Sequence, residues 1–319
     1  MVRNRRTRSS LDTLDYTLVG FLTGITTRFL TQPLEVIKIR FQLQVEPINY
    51  RSPKSKYKSI AQCRSLIIRE EGFHSLWKGH LASQTWCIIH GSTQFLGFEL
   101  LTRRIYRDFY VRSDFQRFLI DFACGAFSGG IASMVSMPMD VLQTRFVAQT
   151  EPRTILNLRH AFKYIYQNEG IAGFYRGTFP AVLQILPHAG LLLSSYRVFN
   201  NIWEYFDEPA PTFLFRRGPS APQIFICGGM SGIVAKATIY PLDLVKRRLQ
   251  VQGFGHARKN LGEVPNYTGL LDCIKQIIHK ESFYGLFKGL KPSILKAFLG
   301  TGSHFLLYGQ SVEFLIDTM

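Results

Sequence analysis

Cysteine is sparse and isolated. The five residues Cys63, Cys87, Cys124, Cys227 and Cys273 stand far apart with no Cys-x-x-Cys pair, so neither a disulfide framework nor a zinc module is supported, and they read as small apolar side chains. Acidic residues are also few: 22 Asp and Glu face 38 Lys and Arg, a formal charge of +16 over 319 residues. No G-x-x-x-x-G-K-[ST] loop occurs and the eight histidines are scattered, which places neither a nucleotide-hydrolysing nor a triad enzyme. A soluble nucleic-acid-binding protein would account for the charge by phosphate neutralisation. Yet zinc-ligand spacings and RNP-like motifs are missing, and the basic residues follow a repeat instead of forming one patch. Arg3, Arg5, Arg6 and Arg8 precede any acid but no apolar run follows them, which argues against a secretory signal; residues 1–13 read as a solvated basic tail, with a mitochondrial presequence as the alternative. Disorder is excluded by 46% hydrophobic and 13% aromatic residues. Mean hydropathy is only +0.03, too low for helices that all face lipid but compatible with helices lining water.

What the chain does contain is a threefold repeat, which decides the architecture. Pro33 opens P-L-E-V-I-K-I-R-F-Q, Pro138 opens P-M-D-V-L-Q-T-R-F-V and Pro241 opens P-L-D-L-V-K-R-R-L-Q, spaced 105 and 103 residues apart. Thirteen residues before each proline stands a glycine, Gly20, Gly125 or Gly228, with a second four residues further on, Gly24, Gly129 or Gly232. Downstream come E-G-F-H-S-L-W-K-G, E-G-I-A-G-F-Y-R-G and E-S-F-Y-G-L-F-K-G, ending at Gly79, Gly177 and Gly289; nineteen residues later stand Phe98, Tyr196 and Tyr308.

Each repeat resolves into the same elements. A mostly apolar stretch (roughly 14–43, 117–147 and 222–250) is long enough to cross a bilayer as a helix. A polar connection with a short amphipathic helix follows; Leu270, Leu271, Ile274, Ile277 and Ile278 share one face, as do Ile60, Cys63, Leu66 and Ile67. A second apolar stretch begins near His80, Thr178 and Leu290. The odd-numbered long helices carry charges in mid-span: Arg28, Glu35, Lys38 and Arg40 in the first, Lys236, Asp243, Lys246 and Arg248 in the fifth. An ionisable group at the bilayer centre costs roughly 3 kcal/mol or more unless it faces protein or water, so these residues should line an interior. Pro33, Pro138 and Pro241 should kink their helices, and the Gly-x-x-x-Gly pairs should let helices approach closely.

These motifs, P-x-[DE]-x-x-[KR] followed by an acid and an aromatic-basic-Gly triplet three times over, resemble the mitochondrial carrier family across essentially the whole chain. The resemblance implies an all-α membrane protein of six transmembrane helices in three pseudo-symmetric repeats around a central cavity. Three short amphipathic helices would lie on the matrix side, and the cavity would open alternately to either side of the inner mitochondrial membrane. Repeat boundaries are expected at 14–108, 116–206 and 222–317. Within the family, V-I-K-I-R-F-Q-L-Q (36–44), W-K-G-H (77–80), Q-F-L-G-F-E-L-L-T (94–102) and Y-P-L-D-L-V-K-R-R-L-Q-V-Q-G-F-G-H-A-R (240–258) are similar to members that carry thiamine pyrophosphate. Nucleotide, deoxynucleotide and coenzyme A carriers remain alternatives. No enzyme activity, cofactor, metal or nucleic acid is expected. The expected partners are a phosphorylated small molecule and inner-membrane lipids, with cardiolipin a candidate, and the expected state is a monomer.

Carried over from the family, the acid after each proline pairs with the base on the next odd helix and closes the matrix end. Asp140 should then meet Lys246 and Asp243 should meet Lys38, while Glu35 faces Gln143, where the family usually has a base. Gln42 and Gln250 should brace two of these pairs, and Val147 interrupts the third brace. At the opposite end the family's aromatic-acid-x-x-base pattern is degenerate: Phe98 and Glu99 with Thr102, Tyr196 and Arg197 with Asn200, Tyr308 and Gly309 with Val312. The matrix network should therefore outweigh the cytoplasmic one, and the empty protein should rest open to the cytosol. For the substrate, Arg28 and Lys236 stand five residues before their prolines and Lys296 lies seven after Gly289, while Ser133 and Gln184 hold the matching places in the second repeat. Three cations suit a diphosphate. Trp86, Cys87, His90 and Gln94, with Gln184, Ile185 and His188, fall at the family's contact offsets, and His304 is a further candidate; rings and amides of this kind can stack on and hydrogen-bond a flat heterocycle.

Overall fold

The computed structural model describes residues 13–46, 48, 55–108, 113–150, 154–206, 221–255 and 265–300, and among them the chain is helical with no strand. Repeat 1 runs through α1 (Thr13–Leu43), α2 (Ile60–Glu71) and α3 (His80–Asp108). Repeat 2 runs through α4 (Asp114–Ala148), α5 (Leu158–Glu169), α6 (Thr178–Leu183) and α7 (Ile185–Phe206). Repeat 3 has α8 (Ala221–Gln250), α9 (Leu270–Glu281) and α10, helical over 290–300. A 3₁₀ turn follows each short helix, at Phe73–Trp77, Ile171–Tyr175 and Phe283–Phe287. The second long rod of repeat 2 is broken at Gln184. Pro187 has no N–H for the carbonyl of Leu183, and the Gln184 N–H closes α6 by donating to Pro180 O at 3.3 Å.

The polarity of the molecule is inverted relative to a soluble bundle. Phe95, Leu100 and Phe127 point outward with 68%, 68% and 62% of their surface exposed, whereas Glu35, Lys38, Arg40, Asp140, Arg145 and Asp243 are buried. Water would penalise the first set and reward exposing the second; a hydrocarbon surround reverses both terms. The same inversion explains why, among the described residues, only Gln116–Ala148 and Ile171–Tyr205 pass as spans on composition, at mean hydropathy 1.6 and 1.2. In α1 and α8 the inward charges dilute an apolar outer face.

The three prolines lie inside α1, α4 and α8. A proline leaves the carbonyl four residues back without its intrahelical donor. For Pro33 that carbonyl belongs to Phe29, and Trp77 Nε1–H donates to it at 3.1 Å. Trp77→Phe keeps the ring contact with Phe29 but removes the donor, so the thermal midpoint in detergent should fall by the equivalent of about 1 kcal/mol; an unchanged midpoint would mean that the bond contributes nothing.

Two cyclic sets of contacts tie the repeats together at the proline end. Gly79, Gly177 and Gly289 adopt φ of 75°, 82° and 85°, and a Cβ on each would sit 3.0, 2.9 and 3.0 Å from the carbonyls of Gln143, Lys246 and Lys38, each five residues after the proline of another repeat. Gly177→Ala therefore meets both a left-handed backbone and a rigid neighbour. It should destabilise by about 1–3 kcal/mol, read as a lowered midpoint, whereas Gly190→Ala, with open space around it, should not. The second set consists of Arg40, Arg145 and Arg248, seven residues after each proline. They hold Glu71 (2.9 Å), Glu169 (2.5 and 2.8 Å) and Glu281 (2.9 Å) at the ends of the short helices. Each also donates to a carbonyl at the end of another odd helix: Gln149 O at 3.0 Å, Gln250 O at 3.1 Å and Gln42 O at 3.1 Å.

Two details depart from the sequence expectation. The short helices bury a narrower face than their apolar pattern: Cys63 and Ile67, Ala161 and Ile165, Cys273 and Ile277 are buried. Leu271 and Ile278 are left uncovered by protein, as an interfacial helix leaves them. The Gly-x-x-x-Gly pairs are mostly not at close contacts. A Cβ on Gly24, Gly125, Gly228 or Gly232 would meet nothing within 4 Å among the described residues, and only Gly129 of this set touches a neighbour, Ile185 at 3.3 Å.

Candidate functional site

A cavity of about 410 Å³ lies between the long helices. Its wall includes Arg28 on α1, Trp86, His90 and Gln94 on α3, Ser133 on α4, Gln184 at the α6–α7 break, Ile185 and His188 on α7, Lys236 on α8 and Lys296 on α10. Cys87 is half-buried and is not among the lining residues, since one step along α3 turns it about 100° from Trp86. His304 lies outside the described residues.

Arg28 is fixed from two sides. Its Nη1 donates to Ser83 Oγ at 2.7 Å and Ser83 O at 3.3 Å, and its guanidinium lies 5.2 Å from the Trp86 ring centre. Trp86 in turn lies 4.9 Å from the His90 ring at an interplanar angle of 34°. His90 Nε2 is 3.4 Å from Ser133 Oγ. On the other side Gln184 Oε1 and His188 Nδ1 are buried with no hydrogen-bond partner among the described residues. Buried polar atoms of this kind cost free energy until something pairs with them.

The floor is a continuous charge network. Lys38 meets Asp243 at 2.8 Å and Lys246 meets Asp140 at 2.7 Å. Gln42 donates to Asp243 at 3.2 Å and Gln250 to Asp140 at 2.7 Å. The third link differs from the sequence reading. The Gln143 side chain makes no hydrogen bond among the described residues, and Glu35 is instead held by Lys296 at 2.9 Å and by Arg247 at 3.3 Å. Arg247 also reaches Asp140 at 2.9 Å. Lys236 joins the network through Asp243 at 3.3 Å. The cavity is thus lined by six bases, Arg28, Lys38, Lys236, Lys246, Arg247 and Lys296, against three carboxylates, Glu35, Asp140 and Asp243. An excess of three formal positive charges faces its interior.

The far end has no counterpart. Glu99 pairs with Arg103 on its own helix and Arg104 with Asp108, also on α3. Asn200 donates to Glu204 at 2.7 Å and accepts from Gln223 at 2.9 Å. Among the described residues no ion pair joins two repeats there. Beyond the spans, burial pushes the Cys63 and Cys273 thiols up to about 12 and the Tyr57 phenol above its ordinary range, so these groups stay protonated and act as packing.

Sequence reasoning missed Arg247 and the clamps made by Arg40, Arg145 and Arg248. The clamps had a signal, the common offset from each proline. Arg247 stands six residues after its proline, where the other repeats have Ile39 and Thr144, and a base without repeat partners carries no periodic signal.

A three-repeat helical bundle, apolar outside, charged within and closed at one end, is the construction of a membrane transporter for a small polar solute. The chain belongs to the mitochondrial carrier family: the family model described as mitochondrial carrier protein matches residues 9–109, 115–206 and 218–319. Its place is therefore the inner mitochondrial membrane. It is 42% identical over 295 residues to the mitochondrial thiamine pyrophosphate carrier of Macaca fascicularis, covering 92% of this chain and 90% of that protein. To the protein of the same name in Homo sapiens it is 42% identical over 291 residues, 91% and 89% of the two chains. A relative from Phaeosphaeria nodorum named mitochondrial thiamine pyrophosphate carrier 1 is 34% identical over 288 residues, 88% and 86% of the two.

Proposed function

We propose that this protein carries thiamine pyrophosphate across the inner mitochondrial membrane by alternating access, as an exchanger. The observation that carries this reading is the excess of three positive charges facing a cavity whose wall also offers the adjoining rings of Trp86 and His90. A diphosphate supplies several anionic oxygens for Arg28, Lys236 and Lys296. The heterocycle stacks on the ring pair and bonds to Gln94, Gln184 and His188. The names of the relatives support the same solute.

The ion pairs indicate how binding is coupled to opening. Lys296 and Lys236 are held by Glu35 and Asp243, the acids that also anchor the floor. A diphosphate entering the cavity competes with both carboxylates for these ammonium groups and so loosens the matrix gate formed by Glu35, Lys38, Asp140, Asp243, Lys246, Gln42 and Gln250. With a dense charge network at one end and, among the described residues, no ion pair between repeats at the other, the empty carrier rests open to the cytosol. Gly24, Gly125, Gly228 and Gly232 leave room for the helices to close that end later. Residues of all three repeats of one chain line the cavity, so a monomer suffices, and lipid, cardiolipin included, covers the apolar belt.

The test is uptake of labelled thiamine pyrophosphate by purified protein in liposomes, with unlabelled nucleotides, deoxynucleotides and coenzyme A as competitors. Thiamine pyrophosphate should compete at least tenfold better than the others. Stronger competition by a nucleotide or coenzyme A would move the protein to that substrate, and uptake without internal counter-solute would replace exchange by uniport.

A further inference from the structure

Gln143 leaves the floor one base short. Glu35, Asp140 and Asp243 occupy equivalent places two residues after their prolines, and Lys38 and Lys246 occupy equivalent places five after theirs; the third such place is Gln143. A gate built on strict repeat symmetry would join α4 to α1 through that residue. Instead, Arg247 of α8 extends between Glu35, the carboxylate that a base at position 143 would answer, at 3.3 Å, and Asp140 of α4 at 2.9 Å. Its Nη1 also donates to Thr144 Oγ1 at 2.5 Å and Gln250 Oε1 at 3.2 Å. Its side chain is 7% exposed, so it belongs to the network and not to the surface.

We infer that Arg247 is a positioning residue that supplies, from α8, the gate charge that position 143 of α4 lacks. Three features of the geometry carry this. A guanidinium is a planar fork, and here its Nη1 meets Asp140 while its Nη2 meets Glu35. The two acids it links come from different repeats, so one side chain holds α1 and α4 to α8 together. The Gln143 side chain, although buried, makes no hydrogen bond among the described residues and contributes no charge. The gate is consequently lopsided. Asp140 takes both Lys246 and Arg247 from α8, and α8 becomes the hub to which the other two odd helices are tied, while α1 and α4 share no direct side-chain bond in this layer among the described residues.

The inference rests on the reading of this layer as the matrix gate, and the experiment separates the two. A single cysteine is placed at Ser133 in a background lacking the other cysteines, and labelling by a membrane-impermeant maleimide is measured from each side of reconstituted liposomes. Lys38→Gln tests the gate itself and should raise matrix-side labelling severalfold. Arg247→Gln should raise it by a similar factor, and adding Gln143→Lys to Arg247→Gln should return it towards the parent value and recover uptake. Were Lys38→Gln to raise labelling and Arg247→Gln to leave it unchanged, Arg247 would have no gate role, though the gate would stand. Were neither to act, the gate reading itself would fall. A single Arg247→Gln protein that does not fold, with the double variant folded and transporting, supports the exchange of charge between the two positions; a double variant no better than the single overturns it.

Discussion

Lys296→Ala should lower uptake of phosphorylated substrate by about 10- to 150-fold, the loss expected for a charge-assisted bond worth about 1.5–3 kcal/mol, while leaving the protein folded. The geometry supplies both halves of this expectation. Lys296 is 32% exposed and lines the cavity, so its ammonium is within reach of a solute. Its removal does not strand Glu35, which keeps Arg247 at 3.3 Å and Lys38 at 3.9 Å. Liposome uptake reads the first half and the thermal midpoint in detergent reads the second. Lys296→Arg should retain much of the activity because the charge stays. Unaltered uptake by the alanine variant would remove Lys296 from the site, and a collapsed midpoint would make it a structural residue.

Arg145→Ala should be the most damaging change to stability, at about 3–5 kcal/mol, because it strips one partner from a buried ion pair. Arg145 is fully buried and grips Glu169 at 2.5 and 2.8 Å while donating to the carbonyls of Gln250 at 3.1 Å and Gln252 at 3.3 Å. Three things fail together: the anchor of α5, the side-chain bond to the Gln250 carbonyl at the end of α8, and the pairing of a buried carboxylate. Arg176, 3.2 Å from Glu169, compensates only in part. Arg145→Lys should not rescue, since one ammonium cannot reproduce the bidentate grip and the carbonyl bonds at once. Arg145→Ala with Glu169→Ala should be more stable than Arg145→Ala alone, because the stranded charge is gone. The order of midpoints in detergent checks this: the double variant melting below the single would show that desolvated Glu169 is not the source of the loss.

Much of the architecture was readable before any coordinates. The prolines and glycines at constant offsets set the repeats, and the expected long helices at 14–43, 117–147 and 222–250 lie within three residues of α1, α4 and α8 at each end. The ion pairs Lys38–Asp243 and Lys246–Asp140, with their glutamine braces, are contacts that the family resemblance implied. What resisted was whatever breaks symmetry. The interruption at Gln184 arises from Pro187, which has no equivalent in the other repeats. Arg247 likewise stands outside the repeat pattern, and the pairing of Glu35 with Lys296 joins helices 261 residues apart.

By itself, then, the chain determined a triplicated helical protein with charge inside and hydrocarbon outside, because periodicity and the cost of a charge in lipid act on local patterns that three copies make unmistakable. Only the tertiary structure decided which charge answers which. Partner choice inside a bundle depends on distances of a few ångströms between side chains on different helices, and Gln143 and Arg247 could be told apart as spectator and link only once α1, α4 and α8 had been brought together.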